Sequence, residues 1–527
     1  MFRPQKARNP GRDQIARPRS RTAPVKGWNT RDPEANMAEG YAMYLENWWP
    51  TPREVQLRKG AADHVTGISG NVYTLMNWSG PAADHKLFAA TNSGIYDVTT
   101  AGVVGASVST ITNGKCQYTS YVTSGKTYLF VVNGSDSLRY YDGTSWTTVA
   151  NFSISGGGTL TTSNIINIHV FKRALYFIEK DSMNFYYLPI DAIGGSVGKY
   201  PLGGLFDKGG YLNAGGTWSV DGGQGVDDYC VFGTSEGQLV LFYGSDPSSA
   251  ATWAQKGVYY VGEPLGRKCF SKFGGDLLYM SQLGLLPLSR ALQSTTINLQ
   301  ASISDAIGST FSQAAADYDS NYGWQLTISP RDNMLVANIP TADSSTSEQY
   351  VMNTITGAWA RFTGWDAFCW ELSDKSFYVG MNGKVAKVWT GTDDFGGTIS
   401  AYAKDAFFYP AGGRTTSVKM VRPILKIQGT TAVNIAVDVD FADGTDYGPA
   451  SFQGADGSLW DIALWGDDDS MLASPGIWGG DQSLQLDWLD PGCAEGYTAA
   501  IRLRAIGKGA TIAWSATDFA VEGGGIL

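Results

Sequence analysis

One theme recurs between residues 61 and 397 and limits the chain to few architectures. It is a short apolar-aromatic strand, a turn of Gly, Asn, Asp or Ser, and a second strand ending in an aromatic. It appears as KLFAATNSGIYDVT from Lys86, TYLFVVNGSDSLRYYDGTSW from Thr127 and ALYFIEKDSMNFYYLPI from Ala174, and returns from Tyr229, Leu277, Met334 and Ser376. Its anchors Phe88, Leu129, Tyr176, Val231, Tyr279, Leu335 and Tyr378 stand about 40 to 55 residues apart, a spacing that suits four-stranded propeller blades. A small twisted sheet with two apolar faces buries both only by stacking around a ring, which also leaves its edges short and protected. Gly at 65 of 527 residues and 13% aromatics fit such turns and faces and argue against helical bundles. The expectation is an all-β chain with a seven-bladed β-propeller at 61–397. Trp146 and Trp359, each after a Gly or Ser turn, should pack between blades rather than stack on sugars.

Two segments depart from the theme. Ile303, Ala306, Ile307, Phe311 and Ala314 recur at helical spacing, so one helix of three to four turns is expected there, with Ser302 as its cap and Asp305 in its first turn. Beyond Gly396-Gly397, VNIAVDVDF, YTAAIRLRAIG and ATIAWSATDFAVE alternate apolar and polar residues, which predicts an antiparallel β-sandwich over 398–527.

The formal net charge of -10 hides an uneven distribution. Residues 1–26 carry Arg3, Lys6, Arg8, Arg12, Arg17, Arg19, Arg21 and Lys26 against Asp13 alone, a net of +7, which leaves -17 for the rest. With Pro10, Pro18 and Pro24 and no apolar period, this arm reads as extended and unable to fold alone, either a disordered solubilising tail or a fastener that orders by draping over an acidic partner or neighbouring subunit. Residues 438–495 hold thirteen acids and no Lys or Arg. Among them Asp438, Asp440, Asp443 and Asp446 superficially resemble a calcium loop, but the spacing fails that pattern, and a hairpin turning at Asp443-Gly444 with alternate Asp side chains in solvent explains it more simply.

Chemistry is sparsely signalled. His64, His85 and His169 are far apart, no G-x-S-x-G elbow or phosphate loop occurs, and five scattered Cys form no C-x-x-C pair. No catalytic residue, metal or cofactor is expected, and carboxylate glycosidase chemistry is a minority reading. The basic N-terminus has no apolar core behind it, and no apolar stretch is long enough to span a bilayer, so membrane insertion is not expected.

The block from Val25 to Ala61 is a run of landmarks: Gly27-Trp28-Asn29, Asp32-Pro33, Leu45-Glu46-Asn47-Trp48-Trp49-Pro50, and Val55-Gln56-Leu57-Arg58-Lys59-Gly60. With the GLLPLS unit and the ISDAI segment that follow, it resembles the tail hub or nozzle proteins of short-tailed bacteriophages, also called tail tubular protein B or DNA-stabilisation proteins. The resemblance implies a docking segment at 27–60 (Asn29, Asn47, Trp48, Trp49, Arg58, Gly60), then a propeller, then a C-terminal β domain. It implies a virion protein made in the host cytoplasm that forms a homo-oligomeric ring, commonly a hexamer, beneath the portal-adaptor ring. Such a ring carries tail fibres or a tip protein, and genomic DNA passes through its lumen. The basic arm before Val25 departs from the family's pattern. An anionic wall repels a passing duplex, so Asp438, Asp440, Asp443, Asp446, Asp467, Asp468 and Asp469 are the channel-lining candidates. The rival reading is a receptor- or carbohydrate-binding propeller, such as a phage fibre or surface lectin.

Overall fold

The computed structural model describes residues 17–81, 84–123, 125–219, 228–291, 302–412, 414–443, 450–453, 483–485, 487–490 and 494–523. The chain forms two compact units, one of residues 60–357 and 361–391, the other of residues 1–59, 358–360 and 392–527.

The first unit is a β-propeller. Among the described residues it holds seven blades, each opened by an innermost strand: Thr74–Ser79 (blade 1), Gln117–Thr123 (blade 2), Ile165–Phe171 (blade 3), Leu212–Ser219 (blade 4), Phe270–Phe273 (blade 5), Gln325–Ser329 (blade 6) and Cys369–Ser373 (blade 7). Each innermost strand touches the next, and that of blade 7 touches that of blade 1, so the ring is closed. Closure uses sequence-distant strands: Ala61–Asn71 pairs antiparallel with Ser376–Val388, with Val65 opposite Val385 and Ala61 opposite Val388. The first strand of the unit thus completes its last blade.

All seven anchors lie in second strands, one per blade. A second strand is flanked by strands on both edges and by neighbouring blades on both faces, and six of the seven anchors are fully buried or nearly so. Between blades 3 and 4, Phe185 stacks on Phe232 with ring centroids 4.4 Å apart, within a cluster that includes Tyr176, Phe242 and Trp253. Trp146 packs edge-on to Phe88 of the adjacent blade, as expected, whereas Trp359 is buried as a residue of the second unit rather than of the propeller. Cys116, Cys230, Cys269 and Cys369 are free and buried.

The expected helix is present but starts later. Asp305–Ile307 form a 3-10 turn and the α-helix runs Gly308–Tyr318, burying Phe311, Ala314 and Ala315. Ser302 does not cap it; its hydroxyl donates to the Leu285 carbonyl and accepts from the Ser304 amide. A helix this short draws its stability from its packed face rather than its ends.

The second unit is sandwich-like and is woven from both ends of the chain. One sheet centres on Thr511–Gly523, flanked by Thr416–Gln428 on one side and by Arg17–Thr22 and Val55–Leu57 on the other. The other runs Tyr41–Glu46, Ile399–Asp405, Ala499–Gly507, Thr430–Val439 and Ala450–Gln453. Residues 17–59 therefore supply strands to this unit. Among the described residues no helix is long and apolar enough to cross a membrane.

Ile68, buried in the closing strand against Val65, Leu75 and Val385, should be costly to truncate. Ile68→Ala is expected to lose about 2–5 kcal/mol in urea unfolding. Val103→Ala, at an 84% exposed position in the same blade, should stay within about 0.5 kcal/mol.

Candidate functional site

The landmark segment is a clamp. Asn47 sits at φ 57°, a left-handed conformation that Asn tolerates better than most residues. Its side-chain amide donates to the Ser400 carbonyl at 2.8 Å, and its Oδ1 accepts from Arg58 Nε at 2.7 Å. The Arg58 guanidinium then grips Asp394 with both terminal nitrogens, at 3.0 and 2.6 Å, and donates to the Lys59 carbonyl. Trp48 packs on Trp514, and Asn29 folds an Asx turn by accepting the amides of Arg31 and Asp32. Gly27, at φ 87°, is required because a Cβ would stand 2.5 Å from the Trp359 carbonyl oxygen. Asn29, Asn47, Trp48, Trp49 and Arg58 are all less than 9% exposed, so these side chains hold the fold and are not offered to a partner. Gly60 serves through its backbone, bonded to Thr390 and Gly391.

The basic arm also needs correction where it is described. Residues 17–22 are an edge strand, Arg17 opposite Val521 and Thr22 opposite Ala516, and an edge is where Pro18 can be accommodated. Arg21 is buried: it donates to the Ala406 carbonyl at 3.0 Å, lies over the Phe408 ring, and has Glu39 and Asp405 at 3.7 and 4.0 Å. Burial pushes the Asp405 carboxyl up to about 7, with Arg21 acting against that rise. Lys26 donates to the Glu39 carbonyl, and Arg19 is exposed. Arg3, Lys6, Arg8, Arg12 and the side chain of Arg17 lie outside the described residues.

The acidic candidates divide similarly. Asp438 is fully buried between Lys404 at 3.2 Å and Arg502 at 3.4 Å, and cannot line a channel. Asp440 accepts the amides of Tyr497 and Thr498, and the chain turns at Asp440-Phe441, both with positive φ, while the turn expected at Asp443-Gly444 runs outside the described residues. Asp443 is exposed but paired with Lys404 at 2.7 Å. Burial opposes the Lys404 charge, yet Asp443 and Asp438 together raise its pKa. Asp446, Asp467, Asp468 and Asp469 lie outside the described residues.

One cavity among the described residues was not foreseen from the sequence. About 460 Å³ in volume, it is lined by residues just before or at the start of the innermost strands of several blades, and so opens at the propeller axis. Lys115 comes from blade 2, Asn213 from blade 4, Arg267 and Lys268 from blade 5, Tyr322 and Gln325 from blade 6. Lys115 Nζ lies 4.9 Å from the Tyr322 ring centre, and Lys268 Nζ donates to Gln325 Oε1 at 3.4 Å. Burial lowers the pKa of both Arg267 and Lys268. Near Lys268, Glu371 accepts a short hydrogen bond from the Tyr118 hydroxyl, and burial pushes its carboxyl up to about 7 against the pull of Tyr118 and Lys268. The signal in the sequence is a repeated Gly, Lys-Cys and aromatic ahead of a blade, GKCQY at Gly114 and GRKCF at Gly266, in which the Cys is buried and the Lys turns to the cavity. Among the described residues no group of three or more His, Cys, Asp or Glu could hold a metal.

No family profile matches the chain, and no curated protein does. Solved structures do, all as distant likenesses of fold. BBS1N in complex with ARL6DN has a TM-score of 0.39 at 11% identity, covering 63% of this chain and 97% of that one. The Cps50 (Swd1) β-propeller domain of Myceliophteria thermophila has a TM-score of 0.38 at 11% identity, covering 62% and 98%. Sqt1 of Saccharomyces cerevisiae has a TM-score of 0.36 at 12% identity, covering 66% and 86%.

Two outcomes follow from this chemistry. Arg58→Met strands Asp394 and Asn47 and should cost about 3–5 kcal/mol in urea unfolding, whereas a change under about 1 kcal/mol would contradict the clamp. Glu371 holds its proton more tightly in the folded chain, so its contribution to stability falls as pH rises from 4.5 through about 7. Glu371→Gln should match the parent's melting temperature at pH 4 and exceed it at pH 8; a pH-independent difference would refute the assignment.

Proposed function

We propose that the chain is the repeating subunit of a tail nozzle or hub ring of a short-tailed bacteriophage, seated beneath a portal-adaptor ring and surrounding the path of exiting DNA. One observation carries the reading. The landmarks of the resemblance, Asn47-Trp48-Trp49 and Arg58-x-Gly60, are the residues that hold the chain where it enters and leaves the propeller. They therefore go with the domain order that the resemblance implies, a propeller set between an N-terminal segment and a C-terminal β domain. In this role the chain works as a scaffold, its partners being copies of itself, an adaptor, and fibres or a tip protein.

Two candidate contacts follow. The four cations Arg3, Lys6, Arg8 and Arg12 precede the strand 17–22 and are the part of the arm left for an acidic neighbour, a contact that salt would weaken. The acids between 444 and 482, a stretch with no Lys or Arg, are the candidates for repelling phosphate, and they lie outside the described residues.

Analytical ultracentrifugation of the purified full-length protein, alone and with the adaptor ring, tests this reading. A closed oligomer of defined copy number is expected; a monomer with no affinity for adaptor rings would favour the receptor- or sugar-binding propeller. Removing residues 2–16 should weaken docking in a salt-dependent way. Unaltered docking of that truncation would refute the fastener.

A further inference from the structure

The axial cavity holds more positive than negative charge, with Lys180 among its lining cations and Asp319 as its lining carboxylate. Lys115, Arg267 and Lys268 line it, and among the described residues none of the three has a carboxylate within ion-pair distance. Nearby acids are otherwise engaged or exposed: Asp136 accepts from Thr112, Asn113 and Asn133, Glu371 accepts from Tyr118, and Asp319 is an exposed lining residue. Holding partly desolvated cations together costs free energy that a bound anion would recover.

The wall is set in advance. Asn133, Asn213 and Asn321 each donate their side-chain amide to a backbone carbonyl, of Asn113 at 2.8 Å, Gly266 at 3.2 Å and Pro340 at 2.9 Å. Tyr322, beneath Lys115, is itself fixed by donating to the Tyr73 carbonyl at 2.9 Å. Polar groups held in this way lose little entropy on binding. The volume is within the range that encloses a small ligand.

We propose that this axial pocket binds an oxyanion, a phosphate or carboxylate carried on a polar molecule of about the size of a sugar. Arg267 and Lys268 hold the anionic group and Lys115 closes on it from blade 2. The site is independent of the ring-subunit reading, since all of its residues belong to the propeller of one chain.

Isothermal titration calorimetry of the full-length protein with inorganic phosphate, glucuronate and glucose tests the site. Saturable one-site binding of phosphate or glucuronate is expected, weakened by added salt, with no binding of glucose. Arg267→Gln, Lys268→Gln and Lys115→Gln should each reduce affinity by about tenfold or more, the scale of losing one charged hydrogen bond. Lys126→Gln, in the turn at the opposite end of a blade 2 hairpin, should leave it unchanged. Melting curves identify which variants fold, and Lys115→Gln is judged on its own melting curve. Binding of phosphate alone assigns a phosphorylated ligand, and binding of glucuronate alone a carboxylate. The proposal is overturned if neither anion binds, if glucose binds as tightly, or if no folded lining variant alters affinity.

Discussion

Arg58 is the residue on which the arrangement of the chain depends. The polypeptide passes into the propeller at residues 59–60 and out at 391–392, and Arg58 grips Asp394 on the outgoing pass while holding Asn47 on the incoming one. Directly beyond it, Gly60 exchanges backbone hydrogen bonds with Thr390 and Gly391, and the strands that follow pair to close the last blade. A ring closed by strands more than 300 residues apart in sequence must bear the entropy of a long loop, which rises only slowly with length. A buried bidentate ion pair fixes where that closure occurs, because any other register would leave the guanidinium unpaired in a dry site.

The propeller was legible because its second strands are enclosed on every side. A position with no solvent face must be apolar in each blade, so Phe88, Leu129, Val231 and Leu335 mark the repeat without any alignment. Strand 17–22 was not legible for the opposite reason. It is held at an edge by backbone hydrogen bonds, which impose little side-chain pattern, so RPRSRT looks like a free arm. The sandwich alternation was clear in 499–507 and 511–523, but its first strands stood in the landmark segment and read as a docking element.

Charges were the least legible feature. Asp438 alternates with apolar neighbours as a solvent-facing residue would, yet Arg502 from the adjacent strand and Lys404 from the strand beyond it make it the buried centre of an ion-pair network. Arg21 similarly belongs to the interior. The overall excess of acid thus overstates what the surface presents, and both the fastener and the DNA-repelling surface narrow to fewer residues. The axial pocket shows the converse: Lys115, Arg267 and Lys268 are unremarkable one by one, and only the ring brings them together. The repeated Lys-Cys ahead of two blades was the trace they left, a small buried wedge that fixes the direction of the neighbouring lysine.

A propeller subunit of a virion ring is the role we propose for this chain. Electron-microscopic imaging of the protein on the phage particle tests this most directly. The account predicts a ring of identical subunits below the adaptor, coaxial with the DNA path. The same protein found only at the ends of fibres, or absent from the tail, would contradict it.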